Sequence, residues 1–276
     1  MKFRPDSAVR NYQGLFYKFP AESEAGWGIN FTHQGNVIFA TWFTYDAAGK
    51  PLWFAAELHE SAPGVFSGDV FTTTGPPFSA QPFDPTLVVE TVVGTMTVTF
   101  TDTSNATFTY TINGASQAKS AVTQTKTITR QVYAQPVPGC AWGAKADLNL
   151  AVNYKDLWWA APASSEAGWG VNFTHQGNII FFTWFTYGAD GKPLWLIAVA
   201  QRTSPGVYAG PISTVTGPAF SAVPWDPTQV VETEVGSTTI TFADGNHATF
   251  TYTVNGITQT KQITRQVFAE PGTTCQ

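Results

Sequence analysis

The chain has 276 residues, 14% of them aromatic and only 12% charged, with a net charge of −5. The charged share is about half the usual one, so the protein must bury much of its surface or present an apolar, hydroxyl-rich face to something else. The acidic balance excludes nucleic acid, whose phosphates need a basic patch. No window reaches the roughly 18 apolar residues of a membrane span.

Residues 1–10 form an N-terminal extension. Met1-Lys2-Phe3-Arg4-Pro5 has no apolar leader segment. A composition rich in Thr, Gly and Asn nevertheless favours a secreted, extracellular protein, whose leader would lie outside this sequence.

Laying the chain on itself reveals a duplication. Glu24-Ala25-Gly26-Trp27-Gly28-Ile29-Asn30-Phe31-Thr32-His33-Gln34-Gly35-Asn36 returns from Glu166 to Asn178 with one change, Val171 for Ile29. The match persists at Thr41–Tyr45 against Thr183–Tyr187 and at Ala106–Tyr110 against Ala248–Tyr252. After Asn113-Gly114 the first copy carries the extra residues Ala115–Ala121, and Ile128–Val132 then matches Ile263–Val267. Repeat 1 spans 11–140, a linker 141–152, and repeat 2 153–276.

Within repeat 1 short apolar/polar alternations predict strands at Leu15–Phe19, Trp27–His33, Val37–Tyr45, Leu52–His59, Val65–Thr72, Thr95–Thr101, Thr107–Ile112 and Thr125–Tyr133. Turn residues separate them, as at Gln34-Gly35-Asn36, Ala62-Pro63-Gly64 and Asn113-Gly114. Only the Pro-rich stretch Gly75–Val93 is long, and it should cross one end of the structure. Eight strands joined by short turns predict an all-β protein of two tandem antiparallel eight-stranded meander barrels, with β-sandwiches as the alternative. Each repeat is expected to fold on its own.

Alternation assigns the faces. Met96, Val98 and Phe100 oppose Thr95, Thr97, Thr99 and Thr101. The Thr-x-Thr runs read as solvent-facing strand residues. Strand three is apolar on both sides, with Phe39, Phe43 and Tyr45 opposite Ile38 and Trp42, so its outer face is expected to be covered by the sister repeat. On the last strand Ile128 and Val132 share parity with Lys126 and Arg130. Arg130 and its counterpart Arg265 should therefore point toward the core and find acceptors or an aromatic face.

With these residues the chain resembles the calycin superfamily of lipocalins, fatty-acid-binding proteins and avidins. The stretch Gly26-Trp27-Gly28-Ile29-Asn30 through Gly35-Asn36 is similar to the avidin opening, although Gly26 and Gly28 flank Trp27 directly. The resemblance implies an eight-stranded barrel in which a ring near the first strand, at Trp27 or at the Phe16/Trp158 position, packs on Arg130 or Arg265. The repeats also look like those of uncharacterised exported bacterial proteins.

No nucleophile elbow, zinc-binding helix motif or Cys/His ligand spacing is present, so no catalytic residue, metal or cofactor is expected. Glu24 and Glu166 with His33 and His175 are candidates for acid–base work, as is a carboxylate pair brought together from distant strands, and the histidines read more simply as rim or core residues making one hydrogen bond. The sequon residues Asn30 and Asn172 lie on strands and are expected to be unmodified. The ligand-binding candidates are Trp27, Trp42, Trp53 and Arg130, with Trp169, Trp184, Trp195 and Arg265. The simpler reading makes the tryptophans core and the arginines structural plugs.

The expectation is a secreted, non-catalytic binding protein with one site per module for a small apolar molecule or a carbohydrate. The alternative is a self-associating structural subunit of an extracellular coat, fibre or adhesive layer. Cys140 and Cys275 occupy matching places beyond the last strand of each repeat. Neither can bridge within its own repeat, and an intrachain Cys140–Cys275 disulfide is the expected pairing.

Overall fold

Residues 10–114 and 120–276 are described by a computed structural model. The chain is all-β. Strands β1 (Gly14–Lys18), β2 (Gly28–Gln34), β3 (Val37–Tyr45), β4 (Pro51–Ala62), β5 (Val65–Thr74), β6 (Val89–Phe100), β7 (Asn105–Ile112) and β8 (Val122–Arg130) form a closed antiparallel barrel in sequence order. A short β9 (Cys140–Trp142) follows. The second barrel runs through β10 (Asp156–Ala160), β11 (Gly170–Gln176), β12 (Ile179–Tyr187), β13 (Pro193–Ser204), β14 (Val207–Thr216), β15 (Val231–Phe242), β16 (His247–Val254) and β17 (Ile257–Arg265), and β18 (Thr273–Cys275) pairs with β9. Closure of β1 on β8 and of β10 on β17 leaves neither barrel with a free edge. The sandwich alternative does not apply.

Period-two alternation explains the layers. Met96, Val98, Phe108, Tyr110 and Ile128 are buried. On the outer face Thr95, Thr111 and Thr123 align across three strands, as do Thr97, Thr109 and Thr125. Neighbouring hydroxyls there bond to one another, Thr109 to Thr125 at 3.0 Å and Thr111 to Thr123 at 2.9 Å. Opposite Val70 and Phe71 of β5, β6 carries one extra residue, Val93, between Gly94 and Val92. A Cβ on Gly94 would run into the carbonyl of Thr111, so the tight corner requires glycine.

Aromatic side chains fill the barrels. Phe16, Phe31, Trp42, Phe54, Phe108 and Tyr110 are all buried in the first, Trp42 lying 4.5 Å from Tyr110 and 5.0 Å from Phe54 between ring centroids.

The outer face of β3 is covered by the sister module, as its double apolarity requires. Phe43 packs on Trp195 at 5.2 Å. The contacts are reciprocal: Trp53 Nε1 donates to the carbonyl of Thr186 at 3.0 Å, and Trp195 Nε1 to that of Thr44 at 2.7 Å. Such exchange is the signature of a two-fold interface, here between two halves of one chain.

The long loops are reciprocal too. Since β6 begins at Val89, the connection is shorter than the sequence suggests, and it crosses the end of the other barrel rather than its own. Phe78 packs on Trp184 and Tyr252 of the second barrel, and Tyr252 Oη and Gln259 Nε2 donate to the carbonyls of Phe78 and Ser79. Phe220 enters the first barrel against Trp42 and Phe54, with Tyr110 and Gln124 donating to Phe220 and Ser221. Each module is lidded by its sister.

At the opposite end the tails exchange as well. Gln176 Oε1 accepts from the backbone N–H groups of Tyr133 and Ala134, and Gln34 Oε1 from those of Phe268 and Ala269. Cys140 and Cys275 face each other across the β9–β18 pair and are disulfide-bonded. The segment read as a linker therefore begins in a strand, and its Leu148–Leu150 turn leans on repeat 2, where Gly245 N–H donates to Asn149 O. One parity assignment needs correction: β8 ends at Arg130, so Val132 leaves the barrel and is 51% exposed instead of facing the core.

Candidate functional site

The packing of two barrels leaves a pair of related aromatic clefts between them. The first has a volume of about 190 Å³ and is walled by Phe39, Trp53 and Phe71 from the first module and by Trp159, Trp169 and Phe185 from the second. The second, of about 250 Å³, exchanges these roles: Tyr17, Trp27 and Phe43 face Phe181, Trp195 and Val215. Exposed carboxylates stand at the edges, Glu90 beside the first cleft and Glu22 and Glu232 beside the second.

Local sequence fixes the tryptophans. The Gly-Trp-Gly segment before β11 is pinned because Tyr187 Oη donates to Gly168 O and to Thr73 Oγ1. Trp169 Nε1 donates to Glu166 at 3.0 Å, and that carboxylate is held in turn by Lys261 at 2.8 Å. In the first module Trp27, Glu24 and Lys126 repeat the arrangement, with Lys126 Nζ 2.7 Å from the carboxylate and 5.4 Å from the Trp27 ring centroid. Glu24 thus anchors an indole. It stands at the opposite end of β2 from His33, and the structure does not bring the Glu/His pair together.

Four of the eight candidate ligand-binding residues meet in the clefts, each time as a pair from different modules: Trp53 with Trp169, and Trp27 with Trp195. Trp42 and Trp184 lie inside the barrels, out of reach of either cleft. Arg130 and Arg265 sit at the barrel bases. Arg265 lies over the Trp158 ring at 5.1 Å, pairs with Asp156 at 2.7 Å, and donates to the carbonyls of Asn153 and Gly245. Arg130 lies over Phe16 at 5.1 Å and donates to the carbonyls of Gln13 and Thr103; burial pulls its pKa down to about 10. The arginine ring partner is thus the Phe16/Trp158 position and not Trp27. With their donors spent on backbone oxygens and, for Arg265, on the Asp156 carboxylate as well, both guanidinium groups are held in place as clamps.

Sequence reasoning missed Trp159, Phe39 and Phe71 as cleft residues. The doublet Trp158-Trp159 carried the signal, since adjacent strand residues face opposite sides. Trp158 turns into the barrel and Trp159 into the cleft, where its buried Nε1 has no hydrogen-bond partner. Asn30 and Asn172 are buried between the modules, where Asn172 Nδ2 donates to Thr41 and its Oδ1 accepts from Thr32. Among the described residues, no group of three or more His, Cys, Asp or Glu side chains is placed to hold a metal ion, and no helix is long and apolar enough to cross a membrane.

In comparisons with known proteins the chain matches no family model, and no curated protein is significantly similar to it.

Proposed function

We propose that the protein is a non-catalytic, extracellular binding protein that holds a small apolar molecule or a carbohydrate in each of the two clefts between its barrels. The observation that carries this reading is the first cleft itself. Aromatic walls from both modules converge there, with Thr41, Thr73 and Glu90 as the sparse polar residues of the lining. Apolar walls with sparse, placed polar groups characterise small-molecule sites, and indole faces with a neighbouring acid suit the C–H faces and hydroxyls of a sugar. The volume lies below the roughly 300 Å³ of drug-sized pockets, which suits one ring or one sugar unit. The disulfide supports action in an oxidising compartment.

The barrel interiors are taken up by aromatic packing, so the reading places ligands between the modules, with two sites per chain each shared by both. The test is a thermal-shift and calorimetric screen of mono- and disaccharides and small cyclic hydrocarbons. Trp159→Ala should abolish binding in the first cleft, while Trp42→Phe, inside the barrel, should leave affinity unchanged. Ligands whose affinity ignores Trp159→Ala and Tyr17→Ala alike would overturn the cleft assignment.

A further inference from the structure

The charges around the two clefts are as one-sided as their walls are aromatic. In the first, Phe39, Trp53 and Phe71 face Trp159, Trp169 and Phe185, and among the described residues the only charged side chain of the lining is Glu90. In the second the charged lining residues are Glu22 and Glu232, again both acidic. Glu90 and Glu232 occupy matching positions of the two repeats, each the second residue of its strand, β6 or β15. Both clefts therefore carry the same acid at the edge, on a chain whose net charge is −5.

The other polar groups around the first cleft are largely committed. Thr41 Oγ1 accepts from Asn172 Nδ2 at 2.8 Å, and the Thr73 hydroxyl is bonded to Tyr187 Oη at 3.0 Å. The indole N–H of Trp53 goes to the Thr186 carbonyl and that of Trp169 to Glu166. A ligand rich in N–H or O–H groups would lose bonds to water that these walls replace poorly. What the walls offer is aromatic surface beside a carboxylate, and an aromatic face attracts a cation held within about 6 Å. The second cleft is less open to such a partner. Lys126 already stands over the Trp27 ring, and the positions of Phe71 and Trp159 are held there by Ser213 and Tyr17.

We propose that the first cleft binds a methylated ammonium ion, its head group held among the six rings with Glu90 as the counter-charge. The proposal rests on the cleft reading above and narrows it to one class of ligand. Methylation decides the fit. N-methyl groups spread the charge over an apolar surface and leave no N–H to satisfy, whereas a primary ammonium is strongly hydrated and brings three donors that need acceptors. The volume of about 190 Å³ suits one small head group. The acidic edge and the negative net charge favour the approach of a cation.

The experiment is calorimetric titration of the full chain with choline at neutral pH and low ionic strength. Its control is the neutral carbon isostere of choline, in which a tert-butyl group replaces trimethylammonium. One choline per chain should bind, roughly tenfold more tightly than the isostere, a factor within the range of a desolvated cation on aromatic faces. Ethanolamine, the primary amine, should bind less well than choline. Glu90→Gln, at an exposed position, should weaken choline by roughly threefold, as expected of a surface charge pair, and leave the isostere unchanged. Trp159→Leu keeps apolar bulk and removes the ring, and should weaken choline more than the isostere. Equal affinities for choline and the isostere, both lost in Trp159→Ala, would overturn the cation and keep the cleft as a binding site. No choline binding at millimolar concentration, or binding indifferent to either Glu90→Gln or Trp159→Leu, would also overturn the proposal, and the saccharide and hydrocarbon screen would then decide the cleft reading separately.

Discussion

The two modules differ most instructively at their arginine clamps. Both Arg130 and Arg265 lie over a ring of the first strand of their barrel, and both donate to backbone carbonyls. In the second module Asp156 adds a buried carboxylate to the clamp. In the first, the matching position is Gly14, and a Cβ there would run into Arg130 Nη1. The same cation is thus held in one barrel by an ion pair and in the other by carbonyl dipoles alone. Between the clamps lie Gln13 and Lys155, which also occupy matching positions: Gln13 Nε2 donates to Lys155 O at 3.1 Å, and burial, reinforced by Arg130, pulls the Lys155 pKa well below its ordinary value. The duplication has kept the clamp's geometry while letting its electrostatics diverge.

The largest effect should come from separating the modules altogether. A fragment of residues 153–276 loses the Phe78 lid, the backbone partners of Gln176 and the aromatic cover of Trp195 and Phe185. The strand set of the second module is complete, and the sequence alone therefore suggests autonomy. The exchanged lids and tails argue otherwise. Stability should drop by roughly 5 kcal/mol or more, most of what a small domain possesses, and the fragment should aggregate. Chemical denaturation of the fragment beside the full chain measures this, and equal midpoints would show that the exchanged elements contribute nothing.

Next in size is the asymmetry of the clamps. Arg265→Met leaves Asp156 buried beside an apolar stem, and removing one partner of a buried ion pair costs about 3–5 kcal/mol. Arg130→Met removes a guanidinium that has no carboxylate partner in its clamp and relieves Lys155 of a neighbouring like charge, so the cost should be nearer 1–3 kcal/mol, that of lost hydrogen bonds to a charged group. Denaturant midpoints of the two variants provide the comparison. Equal losses would mean that Asp156 contributes no net stabilisation to its clamp.

Much of this architecture was legible because the signals were local or internal to the chain. Alternation placed the strands, the repeat doubled every inference, and the two-sided apolarity of Phe39–Tyr45 announced a partner surface. The matching positions of Cys140 and Cys275 pointed to the bridge that closes the molecule. The clefts were not legible, because each wall combines residues more than 100 positions apart, as Trp53 with Trp169. Nothing in a strand's own alternation says which outward-facing ring meets which. The lids were hidden for a related reason. A Pro-rich loop carrying Phe78 reads the same whether it covers its own barrel or its neighbour's, and the exchange shows only in contacts across the modules, such as the Phe78 N–H donating to the Tyr187 carbonyl.

The smallest effect concerns the two buried histidines and appears only on acidification. Burial holds His33 at a pKa of about 3 and His175 at about 4, against an ordinary value of 6.5. In both cases the folded state binds its proton less readily than the unfolded chain. Stability contributed by the neutral rings is therefore complete above about pH 6.5 and declines as pH falls toward the folded-state values, because only the unfolded chain takes up protons in that window. At pH 5 both histidines are still neutral when folded, so each should account for about 2 kcal/mol of the loss relative to pH 7. His33→Gln and His175→Gln, which keep an acceptor for the Tyr12 and Tyr154 N–H groups, should each flatten the stability–pH curve between 7 and 5 by similar amounts. Denaturation curves of both variants at half-unit pH steps measure the effect. A His33→Gln curve that stays parallel to the wild type from pH 7 to 5 would show that His33 does not titrate with the shifted pKa its burial dictates.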